Sequence, residues 1–292
     1  MRDAFTMGEQ NKSRDFDFTE RDFERVRKLI YSSAGISLST AKRDMVYSRL
    51  ARRLRTADVS GFHEYLDLVE SGDPAECEAF TNALTTNLTA FFREPHHFPI
   101  LAQHLRRASR ANPLLIWCSA ASTGEEPYSI AMTAVEAFGN FSPPVRILSS
   151  DVDTNVLATA QAGVYNADRV EKLDSERLKR FFQRGKGANA DKVRVRDELR
   201  SLVTFRRINL LESGWPMRGP LDVIFCRNVM IYFDKVTQLA ILERFAPLMR
   251  PEGLLFAGHS ESFHNATHLF RLRGKTVYGL ADKVAEKSGC AA

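Results

Sequence analysis

The sequence predicts an α/β chain, a doubly wound and mostly parallel sheet preceded by an all-helical N-terminal domain. Three observations carry this reading. From residue 114 onward, apolar runs at Leu114–Cys118, Val145–Ser149, Leu202–Phe205, Leu221–Cys226 and Leu254–Ala257 are separated mostly by helical stretches, as expected when crossover helices cover both faces of a sheet. Before residue 86, apolar residues recur at helical spacing and no convincing strand is seen. Finally, Trp117–Ala131 reads as strand, small-residue loop and helix, and Ile147–Asp153 as a second strand ending in acids. That wiring is the one by which doubly wound sheets hold a nucleoside cofactor: the loop backbone approaches the ligand and the acid meets the ribose hydroxyls.

Taken in order, residues 1–17 are polar and expected to be loose. Thr19 can cap a helix whose apolar face is Phe23, Val26 and Ile30, ending near Gly35. A second helix is expected over Ala41–Arg55. A third follows Ser60, burying Phe62, Tyr65, Leu66 and Val69 and stopping at Gly72. A fourth follows Pro74 and carries Phe80 and Leu84. The helical domain is thus expected over residues 1–86 and the sheet domain over 87–292. In the latter, Pro127 is expected at the first position of a helix and Gly139 just past its end. The next helix is expected from Thr154 to Gly163. The turn-rich stretch Gly185–Ala190 and the alternating Lys192–Arg196 predict a small antiparallel β insertion at about 186–206. Phe270–Leu280, with Arg273-Gly274-Lys275 at its centre, predicts an antiparallel hairpin at one sheet edge.

Composition sets the bounds. The chain has 292 residues, 44% hydrophobic and 26% charged, enough to bury a sizeable core. It shows neither the apolar run of a signal peptide nor the roughly 20 apolar residues of a membrane span, so a cytoplasmic protein is expected. Cys77, Cys118, Cys226 and Cys290 form no CxxC pair, and Cys118 and Cys226 fall in expected core strands; they read as reduced, buried thiols. A net charge of +5 permits an acidic partner without requiring nucleic acid.

Four strand ends carry polar residues: Gly124 with Glu125-Glu126, then Asp151, then Asn209-Leu210, then Arg227-Asn228. Ligands of open α/β sheets bind at such ends, although Asn and Asp also favour loops for local reasons. Asp151 is either a ribose ligand or a helix N-cap, a role that Asp153 or Thr154 can fill instead. Asn87–Glu94 is either a linker with a core aromatic pair or a segment folded over the cofactor, with Phe91 and Phe92 excluding water and Arg93 bringing a fixed charge. On the second helix Lys42, Arg49, Arg52 and Arg53 share one face, with Asp44 the one acid along it. The stripe suggests docking to an acidic surface, and no aromatic interleaving favours RNA. His259, Glu261, His264 and His268 lack zinc-type spacing, so no metal is expected.

These segments resemble one family. NLTAFFRE (87–94), AASTGEEPYSIAM (120–132), SDVDTNVL (150–157), INLL (208–211), FCRNVMIYF (225–233) and GHSES (258–262) are together similar to the bacterial chemotaxis receptor glutamate methyltransferases. The resemblance implies a class I methyltransferase-like fold, S-adenosylmethionine as cofactor, and glutamate side chains of methyl-accepting chemotaxis receptors as acceptors. It implies cofactor contacts from Asn87, Thr89, Arg93, Glu126, Asp151, Asn209, Leu210, Arg227 and Asn228. The choice of Glu126 over Glu125 rests on the family pattern alone. Arg93 and Tyr232 are expected to position charge and acceptor at the transferred methyl, and Lys42, Arg49, Arg52 and Arg53 to dock the receptor. The insertion is a candidate site for the receptor's C-terminal tail. A monomer is expected. Two other readings remain: a methyltransferase acting on RNA or a small molecule, and a non-catalytic, cofactor-sensing docking protein.

Overall fold

The computed structural model describes residues 15–108 and 113–289. The expected looseness of residues 1–14 and the thiol of Cys290 lie outside them. The chain divides into two compact units, one of residues up to Leu29 with Leu38–Leu84, the other of Ile30–Ser37 with the chain from Thr85 onward.

The first unit is helical. α1 spans Glu20–Ala34, its residues from Ile30 onward counting with the second unit. Its start is a capping box with Asp in place of Glu: the Asp22 N–H donates to Thr19 Oγ1 at 3.2 Å and the Thr19 N–H to Asp22 Oδ2 at 3.0 Å. α2 (Arg43–Ala57) follows a 3-10 turn at Thr40–Lys42, so it begins two residues later than expected and buries Val46, Leu50, Ala51 and Leu54. α3 (Phe62–Glu70) buries the four residues that its spacing predicted. α4 (Pro74–Leu84) starts on proline, whose missing N–H has no partner to lose in a first turn.

The second unit holds α5 (His97–Arg107), β1 (Leu114–Cys118), α6 (Glu125–Phe138), β2 (Val145–Asp151), α7 (Thr154–Ala162), β3 (Val164–Asn166), α8 (Ser175–Phe181), β4 (Phe182–Arg184), β5 (Lys192–Val195), α9 (Asp197–Arg200), β6 (Val203–Arg207), β7 (Leu221–Cys226), α10 (Lys235–Phe245), β8 (Met249–Ala257), β9 (Phe270–Gly274), β10 (Val277–Leu280) and α11 (Asp282–Gly289). The seven-stranded sheet has the order β6-β2-β1-β7-β8-β10-β9. β6 through β8 pair in parallel, and β10 pairs antiparallel with β8 and β9. Alternation along β1 explains its apolar run. Ile116 and Cys118 enter one core cluster and Trp117 the other, so both faces are covered. Among the described residues no helix is long and apolar enough to cross a membrane.

Two expectations need correction. The small antiparallel sheet, β3-β5-β4, runs from Val164 to Val195, while Val203–Arg207 belongs to the main sheet. The range 186–206 therefore holds one of its three strands and part of a main-sheet strand; β3 and β4 are too short at three residues each to show an alternating pattern. Helix α6 starts at Glu125, which puts Pro127 third in the helix instead of first and Glu125 and Glu126 in its first turn. Proline is tolerated there because first-turn N–H groups have no intrahelical acceptor.

Candidate active site

The chain runs outward from β1 to β2 and β6, then returns to place β7 on the other side of β1. This reversal opens a crevice at the carboxyl ends of β1 and β7, where doubly wound sheets bind ligands. Because β6, β2, β1, β7 and β8 are parallel, the loops that follow them share one edge. All four polar strand ends foreseen in the sequence, with the Gly258–Glu261 loop after β8, are brought to that edge.

After β1 the chain turns sharply at Ser122 (φ 47°) and Gly124 (φ 99°). A Cβ on Gly124 would lie 2.7 Å from Tyr165 Oη and 2.9 Å from Ala160 Cα, so α6 approaches α7 this closely only through glycine. The turn aims the two glutamates apart. Glu125, fully buried, accepts from Thr123 Oγ1 at 2.6 Å and pairs with Arg169 at 3.1 Å from its Nε. Glu126 accepts from Arg227 Nη1 at 2.7 Å and from the Cys118 thiol at 3.4 Å. Burial pushes the Glu126 carboxyl above the usual carboxylate range against the opposing pull of Arg227.

Asp153, not Asp151, caps α7, accepting from the Asn155 and Val156 N–H groups. The half-buried Asp151 accepts instead from the Ser122 N–H at 2.8 Å and the Asp153 N–H at 3.1 Å. Burial raises its pKa to about 6 although those bonds favour the ionised form.

The joining segment crosses these loops. Asn87 Nδ2 donates to Asp153 Oδ2 at 2.8 Å, and Ser122 Oγ donates to the Asn87 carbonyl at 3.3 Å. The Phe92 N–H donates to Ser129 Oγ at 2.9 Å, and Arg227 Nη2 donates to the Arg93 carbonyl. Phe92 (φ 52°) and Glu94 (φ 55°) are left-handed, a conformation that side chains adopt only where surroundings over-determine it. The segment is thus an integral cover of the strand ends and not a free linker. The Thr89 carbonyl accepts from Arg169 at 3.2 Å. Arg93 turns its guanidinium back to the Leu88 carbonyl at 2.7 Å.

The remaining residues are placed less simply. Arg227 is 4% exposed, behind Glu126 and 3.5 Å from Glu94 Oε2. Asn228, left-handed at φ 57°, donates from Nδ2 to Glu94 Oε1 at 3.3 Å. The Asn209 amide is engaged at both ends, with the Ser33 carbonyl at 2.7 Å and the Leu211 N–H at 3.0 Å. Leu210 is core, its carbonyl accepting from Arg244. Tyr232 is half-buried in a 3-10 turn at Met230–Tyr232, its carbonyl accepting from the Ser37 N–H at 2.9 Å.

Sequence reasoning gave no role to Glu94, although it lies in the quoted FFRE run. It also accepts from His259 at 3.1 Å. Burial favours its neutral form, but the His259 bonds and the Arg227 charge outweigh that and hold its pKa down at about 2. Among the described residues the donors that lie together are Glu94, His96 and His97, within 4.8 Å of one another, and Glu94 already faces the Arg227 guanidinium. A cavity of ≈ 280 Å³, lined in part by Asn87, Thr123, Glu125, Tyr165 and Arg169, lies on the small-sheet side. It touches neither Asp151 nor Glu126, so the converging acids locate the site better than the cavity does.

The expected cationic stripe on α2 is reduced in the first unit. Arg53 pairs with Glu76 through Nε at 3.0 Å, and Arg49 Nη1 donates to the Leu84 carbonyl at 3.0 Å. Lys42, in the 3-10 turn before α2, and Arg52 are exposed.

The family model described as CheR methyltransferase, SAM binding domain, matches residues 87–279, and CheR methyltransferase, all-alpha domain, matches residues 21–85. The chain belongs to the CheR methyltransferase family. Chemotaxis protein methyltransferase 2 of Pseudomonas aeruginosa is 57% identical over 270 residues, covering 92% of this chain and 96% of that protein. The chemotaxis protein methyltransferases of Salmonella typhimurium and Escherichia coli are 53% and 52% identical over 264 residues, each covering 90% of this chain and 91% and 92% of those proteins. The expected fold class, enzyme class and cofactor are those of this CheR family: the chain is a methyltransferase that uses S-adenosylmethionine.

Proposed function

We propose that the chain methylates glutamate side chains of methyl-accepting chemotaxis receptors, drawing on S-adenosylmethionine held at the carboxyl ends of β1, β2 and β7. The observation that carries this reading is the excess of buried acid at that edge. Glu94 and buried Glu126 flank a single buried cation, Arg227, and a further buried acid, Glu261, lies in the loop after β8. A low-dielectric centre with surplus negative charge fits a ligand that brings positive charge, as the ammonium and sulfonium of this cofactor do. Asp151 offers the acceptor that ribose hydroxyls need. Asn87, Thr89, Arg93, Glu126, Asp151, Asn209, Leu210, Arg227 and Asn228 are proposed to hold the cofactor. Arg227 and Asn209 act here through the groups they fix, since their side chains are engaged within the protein.

When bound, the cofactor supplies an electrophilic methyl group. The acids at this edge are all committed: Glu125 to Arg169, Glu126 to Arg227, Glu94 to His259, Glu261 to backbone N–H groups and Asp151 to two more. A glutamate acceptor near pKa 4.3 is already an anion at neutral pH and needs no base to take its proton. The site's task is then alignment and the replacement of the carboxylate's water shell, with Arg93 and Tyr232 positioning the acceptor. We assign chemistry to residues 87–292 and receptor docking to residues 1–86, through Lys42 and Arg52 with Arg49 and Arg53 shaping that face. A cytoplasmic monomer acting on the glutamate-rich receptor helices completes the proposal. The receptor's C-terminal tail is a further candidate partner of the small sheet.

An RNA substrate is disfavoured by the commitment of Arg49 and Arg53 within their own unit, which removes half of the cationic stripe. The test is transfer of tritiated methyl from S-adenosylmethionine to membranes that hold chemoreceptors. Label released by mild base, and mapped to glutamate by mass spectrometry, is the expected result. Label on RNA, or none on receptor, would overturn the proposal.

A further inference from the structure

We propose that Glu261, in the Gly258–Ser262 motif, is a positioning residue for methyl transfer: its carboxylate is the template on which the loop after β7 is shaped. Oε1 accepts the N–H groups of Val229 at 3.0 Å and Met230 at 2.8 Å. Oε2 accepts the N–H of Asn228 at 2.9 Å and that of Gly258. Three consecutive N–H groups thus point at one carboxylate, a concave anion cradle built within the chain. Glu261 is 5% exposed and its bonds from Met230 and Gly258 are buried, so without it those two donors would be buried and unpaired.

The neighbours fit this role. Gly258 leaves room for the close approach, because a Cβ there would lie 2.4 Å from Asn228 Nδ2 and 2.9 Å from Glu261 Oε2. On the opposite side, buried Gln238 donates from Nε2 to the carbonyls of Met230 at 2.8 Å and Phe233 at 3.0 Å. Glu261 therefore holds the loop's donors and Gln238 its acceptors. Between them the chain leaves β7 at Arg227, passes through left-handed Asn228 and enters the 3-10 turn carrying Tyr232. The carboxylate touches neither Arg227 nor Tyr232 by any bond of its own; it acts on them through the backbone.

The inference rests on the cofactor pocket proposed above, so the wild-type protein is the control that separates the two. The full chain is compared as wild type, Glu261→Gln, Glu261→Asp and Gly258→Ala, with circular dichroism for folding, calorimetry with S-adenosylhomocysteine, and kcat and KM for receptor methylation. Glutamine presents an NH2 group to two of the four donors and a neutral carbonyl to the other two, losing two bonds outright and the charge assistance of the rest. At least about tenfold weaker cofactor binding and a lower kcat are expected in folded Glu261→Gln, with receptor KM unchanged. Glu261→Asp, which keeps the charge, should be intermediate, and Gly258→Ala should reproduce the defect by pushing the carboxylate away. Folded variants with wild-type cofactor affinity and kcat overturn the inference, and so does a Glu261→Gln that fails to fold while Glu261→Asp and Gly258→Ala behave as wild type. A wild-type protein that gives no binding heat instead overturns the pocket itself.

Discussion

Replacing Arg227 with methionine removes the single guanidinium that faces Glu126 and Glu94. Its side chain is fully buried, 2.7 Å from Glu126 Oε2 and 3.5 Å from Glu94 Oε2, and it also holds the Arg93 carbonyl. Breaking a buried ion pair from one side costs about 3–5 kcal/mol, because the abandoned charge keeps its burial and loses its partner. Glu126, left with the Cys118 thiol alone, should stand near the top of that range. The double variant Glu126→Gln, Arg227→Met carries no abandoned charge at that position and should recover about 1–3 kcal/mol. The pH dependence has a definite sign. Burial already raises the Glu126 pKa, and losing Arg227 raises it further. The folded variant then binds a proton that the unfolded chain releases, so its stability falls as pH rises from about 4.5 upward. The deficit of Arg227→Met against wild type, read from urea unfolding of the sheet-containing unit, should be smaller at pH 5 than at pH 8. A loss below about 1 kcal/mol, or an equal deficit at both pH values, would refute the argument that Arg227 is there to neutralise Glu126.

Other perturbations test other parts of the site. Gly124→Ala places a Cβ against Ala160 and Tyr165 in a left-handed turn; a loss of at least about 1–3 kcal/mol in urea unfolding is expected, together with weaker S-adenosylhomocysteine binding. Asp151, with its pKa raised to about 6, should make cofactor affinity fall as pH drops below about 6 in calorimetry, and Asp151→Asn should flatten that profile. For the same reason Asp151 alone contributes less to the stability of the free protein as pH rises from 3.8 to about 6. Reversing Lys42 and Arg52 to glutamate should raise the receptor KM several-fold at low salt and leave cofactor affinity alone, whereas Arg53→Glu should lower stability by breaking its pair with Glu76.

The readability of the chain follows the length of its signals. β1 and β7 were readable to the residue because buried parallel strands are continuous apolar runs with sharp polar ends. The four polar strand ends were readable for the same reason, since parallel topology alone gathers them at one edge. The α6 start was misplaced by two residues because a left-handed glycine can open a helix without a capping side chain. β3 and β4 left no pattern because three residues cannot show one. The side-chain roles were least legible. Nothing local tells Glu125 from Glu126: their partners, Arg169 and Arg227, lie 44 and 101 residues away in sequence. Glu261 left a trace in the GHSES run, but its partners are backbone N–H groups, which no sequence pattern marks. The stripe on α2 was read from helical spacing, and spacing cannot show that Arg53 already has a carboxylate in front of it.

The pocket itself is tested most directly by calorimetric titration of the full chain with S-adenosylhomocysteine, run in parallel on Asp151→Ala and Glu126→Gln proteins shown to be folded. One binding event per wild-type chain, weakened at least about tenfold in each variant, is the result expected of a nucleoside held by Asp151 and a cationic aminoacyl end held by Glu126. No heat with folded wild-type protein, or the same affinity in all three, would contradict it.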